Sequence, residues 1–135
     1  MSFQDAVKTC LTQKYATFTG RAQRPEFWWF FLFNFAVQIV AGLLDSVIGV
    51  DIIGTVVSLA LLVPMLAVTA RRLHDLGQTG WLQLAPIGIA LVLVVLMFVM
   101  FPLAMVFGVL IVAVYVAFLI YLAMPGQPGP NKYGA

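Results

Sequence analysis

The chain has 135 residues, 63% of them hydrophobic and only 9% charged, with a formal net charge of +2. A soluble domain carries roughly 25% charged residues, so seven Lys/Arg and five Asp/Glu are too few to coat a water-facing surface. Lipid is the expected solvent and one membrane domain the expected organisation. The few basic residues sit in short clusters beside apolar runs, which excludes a nucleic-acid footprint. The single cysteine, Cys10, excludes an intrachain disulfide and a thiolate metal cage, and it reads as a small apolar residue.

Residues 1–18 come first. Ser2 followed by Asp5 is a helix-start pattern. Phe3, Val7, Cys10, Leu11, Tyr15 and Phe18 then fall on one stripe, with Lys8 and Lys14 outside it. This predicts a short amphipathic helix, either lying in the membrane interface or packed on the rest of the protein. The polar residues scattered through it do not read as a secretory signal. Gly20 breaks the pattern. Pro25 and Glu26 suit a first helical turn, the proline because its missing N–H is unpaired there anyway and the glutamate because it opposes the helix dipole.

Four membrane spans are expected, over residues 27–44, 52–70, 82–100 and 104–124. The first apolar run would cover about 27 Å, close to the hydrocarbon thickness of a bilayer. Pro64 should kink the second span without ending it, provided a neighbour satisfies the freed carbonyl. Residues 82–124 carry no charge. As one straight helix they would reach roughly twice the membrane core, so they must fold back, and Pro102 marks the turn. The Pro/Gly-rich tail, residues 125–135, should be an irregular loop. The expected fold class is therefore an all-α membrane protein with four transmembrane helices and a short N-terminal amphipathic interfacial helix.

Lys8, Lys14, Arg21, Arg24, Arg71, Arg72 and Lys132 all fall on one side of a four-span chain. The positive-inside rule assigns that side, and with it both termini, to the cytoplasm. Trp28, Trp29 and Trp81 fall at the same boundary, where an aromatic belt belongs.

Along the first span and in the water-facing turn just past it, Asn34, Gln38 and Asp45 lie within about 40° of one another on a helical wheel. Such a polar face should avoid lipid. Interhelical hydrogen bonding is one reading, and a polar pathway or pocket is the other. Gly54 with Ser58, and Ala113 with Ala117, are small pairs suited to close helix packing.

The dense polar information lies in three pieces: FTGRAQRPEFW at 18–28, ARRLHDLGQTGW at 70–81 and PGQPGPNKYG at 125–134. In this order they resemble the three signatures of the YhaH-like family, small bacterial inner-membrane proteins built on a domain of unknown function. The resemblance covers nearly the whole chain. It implies a location in the bacterial plasma membrane and implies no activity.

Arg21, Arg24, Arg71 and Arg72 offer fork-shaped donors suited to phosphate or carboxylate, and Asn131 adds a neutral donor. With His74 they form a candidate site for an anionic ligand or lipid headgroup. The competing reading is that the arginines set topology and pair locally, Arg71 with Asp75 for example. A single histidine without cysteine is poor metal-ligand arithmetic, so no metal and no cofactor are expected. The expected role is a non-enzymatic interaction or accessory module, in contact with the bilayer, with anionic lipid, and with a second copy or a membrane-complex partner. The rival is a small enzyme or oligomeric transporter with its site around Arg71, Arg72 and His74.

Overall fold

The computed structural model describes residues 1–134. Helix α1, Phe3–Lys8, continues as a π-helical turn, Thr9–Gln13. Four long helices follow: α2, Arg24–Ile48; α3, Ile53–Asp75; α4, Leu84–Val99, entered through a 3₁₀ turn at Gly80–Gln83; and α5, Ala104–Leu122, entered through a second 3₁₀ turn at Phe101–Leu103. Each is long and apolar enough to cross a membrane, taking α4 and α5 with their entry turns. Among the described residues no strand forms, and one isolated bridge joins Asn131 to Gly134.

The N-terminal helix stops at Gln13 and packs on α2. Ser2 caps it by accepting from the Asp5 N–H at 3.2 Å. Phe3 meets Trp29 edge-on at 5.7 Å and lies 6.3 Å from Phe33, while Ala6 and Cys10 are buried. The stripe packs on α2 through these contacts.

Helix α2 runs past the apolar stretch and takes in Asp45, which the sequence had placed in a water-facing turn. Asp45 is buried, and its carboxylate accepts from the N–H groups of Ile53 at 2.9 Å and Gly54 at 2.7 Å. It therefore caps the N-terminus of α3, where the helix dipole favours negative charge. A side chain on Gly54 would begin 3.0 Å from Asp45 Oδ2, so glycine is what lets the carboxylate approach. Ser58 donates to Gln38 Oε1 at 3.1 Å. Two members of the polar face thus join α2 to α3. Asn34 Oδ1 is buried without a hydrogen-bond partner among the described residues. Ala113 and Ala117 are exposed on α5 and pack no neighbouring helix closely.

Helices α2 and α3 form one hairpin and α4 and α5 another. They share a core only toward the end that carries both chain termini, where Phe27, Phe30, Val68 and Leu73 meet Leu122. Away from that end, residues 91–121 of the second hairpin contain no buried side chain. The molecule is tightly knit at its basic end and open at the other.

Pro64 sits inside α3 and has no N–H for the Ala60 carbonyl. The hydroxyl of Tyr15 donates to that carbonyl. The N-terminal segment thereby repairs the break that the proline makes. Tyr15→Phe should lower stability by about 1–3 kcal/mol, the cost of a carbonyl left unpaired where lipid offers no donor. In a Pro64→Ala background the same change should cost much less, because alanine restores the intrahelical N–H donor. Thermal unfolding of the four variants in detergent measures this coupling, and equal costs in both backgrounds would refute it.

Candidate functional site

The three sequence pieces converge at the closed end. The last turn of α3 supplies Arg71, Arg72, His74 and Asp75, the segment before α2 and its first turn supply Arg21, Ala22 and Glu26, and the tail supplies Gln127, Gly129, Asn131 and Tyr133. Helix α3 can end there because Gly77 takes a left-handed conformation, φ +78°. Gly77 N–H donates to His74 O at 3.0 Å and Gln78 N–H to Leu73 O at 2.9 Å, the paired bonds of a Schellman stop. The remaining end carbonyls are also taken. Leu76 N–H donates to Arg72 O, Gln127 N–H to Asp75 O at 2.8 Å, and Asn131 Nδ2 to His74 O at 2.9 Å. A helix terminus buried under the tail thus leaves no orphan carbonyl.

Asp75 is the hub. Arg21 Nε donates to its Oδ1 at 2.9 Å and Arg72 Nη1 to its Oδ2 at 2.5 Å. Each arginine then grips the tail. Arg21 donates to Gln127 O at 2.7 Å and Gly129 O at 2.6 Å. Arg72 donates to Leu122 O at 2.8 Å and Met124 O at 2.5 Å, which closes the C-terminal end of α5 where the dipole favours a cation. Any side chain on Gly126 would collide with the Asp75 carboxylate, so the tail can pass over the hub only as glycine.

Arg71 makes a second centre. It pairs with Glu26 on α2 and donates to Thr17 O at 3.1 Å. Its remaining nitrogen lies 3.9 Å from Cys10 Sγ. Burial pushes the Cys10 thiol up to about 11, against the pull of the Arg71 charge. That thiol stays protonated and unreactive at neutral pH, which agrees with a packing role.

The residues of the candidate anion site fall in different settings. Arg71 and Arg72 are 0% exposed, and their donors end on protein acceptors. Arg71 pairs with Glu26, not Asp75, because residues three apart bring Arg72 to Asp75 while Arg71 turns toward α2. Arg21 is part-buried and also engaged internally. Arg24 remains exposed, with one weak contact to Ala123 O at 3.5 Å. Asn131 serves as a brace between the tail and α3.

His74 stands apart from the ion pairs. Its Nδ1 lies 2.8 Å from the Gly20 carbonyl, and Tyr133 stacks flat on its ring at 4.0 Å and 4°. Lys132 Nζ lies 5.1 Å from the Tyr133 ring centre. Beside His74 opens a cavity of about 660 Å³, bordered by Phe18, Thr79, Trp81, Gln83 and Tyr133 among others. Sequence reading missed this cavity and the stacking of Tyr133, since both depend on the tail folding back. It also gave Glu26 only a dipole role. Among the described residues no group of His, Cys, Asp and Glu is arranged to hold a metal ion.

Four apolar spanning helices closed at one end by a buried ionic knot define a small polytopic membrane protein. The profile of the family described as "Protein of unknown function (DUF805)" matches residues 15–135, and the chain belongs to that family. It is 30% identical over 128 residues to Inner membrane protein YhaH of Escherichia coli (strain K12), covering 90% of this chain and 88% of YhaH. It is also 30% identical over 125 residues to Inner membrane protein YhaI of the same strain, covering 90% of this chain and 86% of YhaI. No solved structure matches the chain.

Removing one partner of a buried ion pair costs about 3–5 kcal/mol, whereas removing both with apolar replacements costs far less. Arg71→Met should therefore destabilise strongly by stranding Glu26. The double variant Arg71→Met/Glu26→Met should recover most of that loss in thermal melts. A double variant as unstable as the sum of its parts would show that the pair is not the interaction at stake.

Proposed function

We propose that this chain is a non-enzymatic accessory module of the bacterial inner membrane, with both termini and its basic end in the cytoplasm. The observation that carries this reading is the internal use of the polar motif residues. Arg21, Arg71, Arg72, Glu26, Asp75 and Asn131 hold one another and the tail carbonyls, so they act as scaffold. A catalytic centre would keep a nucleophile or an acid–base pair free toward a substrate.

The cations left over are Lys8, Arg24 and Lys132, which are exposed, and Lys14, which is partly so. The two carboxylates of the ionic knot are neutralised inside it. The accessible face at this end is consequently positive, while Asp51 is exposed at the other end. Anionic headgroups of the cytoplasmic leaflet suit such a rim.

Each basic residue near an anionic surface is worth about 1 kcal/mol. The variant Lys8→Gln/Lys14→Gln/Arg24→Gln/Lys132→Gln should therefore lose its preference for phosphatidylglycerol over phosphatidylcholine by about 10²- to 10³-fold. Native mass spectrometry of retained lipid reads this directly. Unchanged retention of phosphatidylglycerol would reject the lipid rim.

The orientation is tested by single cysteines in a Cys10→Ala background. Lys132→Cys should react with a membrane-impermeant maleimide only from the cytoplasmic side, and Asp51→Cys only from the other. The reverse pattern would overturn it.

A further inference from the structure

We infer that the cavity beside His74 binds an uncharged, membrane-soluble amphiphile whose head donates a hydrogen bond to His74 Nε2. This goes beyond the lipid rim proposed above and is independent of it. The rim uses exposed cations, whereas the cavity wall carries no charged side chain.

The tautomer follows from the partner of Nδ1. A backbone carbonyl only accepts, so the 2.8 Å contact to Gly20 O requires a proton on Nδ1. In the neutral ring Nε2 is then an acceptor. It points toward Gly80, where an added Cβ would lie 3.3 Å from it. The same Cβ would collide with Ala70 at 2.8 Å, so glycine keeps the entry turn of α4 tight against α3 on this wall. Tyr133 covers one ring face at 4.0 Å and holds the imidazole in plane.

The rest of the wall selects the ligand. Gln83 anchors its amide nitrogen on Leu66 O at 3.3 Å, which leaves its amide oxygen as a second acceptor. Thr79 accepts from the Trp81 N–H at 3.4 Å, and its hydroxyl proton needs a further acceptor. Most of the remaining lining is apolar. A volume of about 660 Å³ lies within the range of small-molecule sites. Trp81 is 76% exposed at the rim, and Leu84 and Phe18 are exposed beside it, so the entrance is an apolar surface at the membrane boundary. Acceptors within, no charge and an apolar mouth fit a hydroxyl-headed amphiphile entering from the bilayer.

His74 is the only histidine, so protein carrying ¹⁵N-labelled histidine gives a single pair of imidazole nitrogen signals. The protein is placed in phosphatidylcholine nanodiscs, whose headgroups carry no donor. It is then titrated with a long-chain alcohol, its methyl ether of equal length, and the corresponding alkyl phosphate. Before addition one nitrogen should read as protonated and the other as bare. The alcohol should move the bare nitrogen saturably, and the ether should not move it. The alkyl phosphate should bind at least about tenfold more weakly. Leu84→Trp, which fills the mouth, should abolish the response while leaving the initial tautomer signals in place, and those signals report that the local fold is intact. An equal response to alcohol and ether, tighter binding of the phosphate, no saturable response to any probe, or an unaltered response in Leu84→Trp would each overturn the proposal.

Discussion

The carboxylate of Asp75, held between Arg21 and Arg72, is the contact on which the closed end of this protein depends. It joins the segment before α2 to the end of α3, and through the two guanidinium groups it brings in carbonyls of the tail and of the end of α5. An acidic residue at a helix C-terminus is unfavourable by itself, because the dipole there is already negative. Two cations reverse that balance. In a low-dielectric setting a carboxylate shared by two arginines is held strongly only if the other donors of those arginines are satisfied. The carbonyls of Leu122, Met124, Gln127 and Gly129 satisfy them.

Three arginines face two carboxylates, Glu26 and Asp75, at this end. The surplus positive charge is spread over backbone carbonyls at the end of α5 and in the tail. The ionic knot is therefore also the device that lets two helix C-termini stop close together. Glycine has a specific part in this. Gly77 turns the chain in the left-handed region, and Gly126 makes room for Asp75 where a side chain would collide. At the opposite end the hairpins have much less holding them. Asp45 capping α3 and the Gln38–Ser58 bond tie α2 to α3, while the second hairpin leaves its outer half to lipid or to a partner.

The knot has a second consequence. By tying the tail over α3 it brings Tyr133 onto His74 and leaves that ring beside an apolar cavity, with its Nδ1 engaged by Gly20. The arginines of the motifs turn inward, and the cavity with His74 lies beside them. A guanidinium with no exposure cannot meet a ligand, but it can fix the walls that do.

Hydrophobic run length and the one-sided placement of Lys and Arg were enough, by themselves, to determine an all-α membrane protein with four spans. The free-energy cost of exposing backbone and charge to hydrocarbon leaves few alternatives. The capping role of Ser2 was also legible, because it is a local pattern. The partners of the polar residues were not. Spacing alone suggested Asp75 for Arg71, and it left Asp45 at the water interface. Which contacts form depends on segments far apart in the chain meeting in space, and on a tail whose conformation is set by bonds to those segments. Only the tertiary structure decided that Arg71 and Arg72 are internal, that Tyr15 repairs the break at Pro64, and that a cavity opens at His74. Burial and hydrogen-bond satisfaction are properties of the assembled chain.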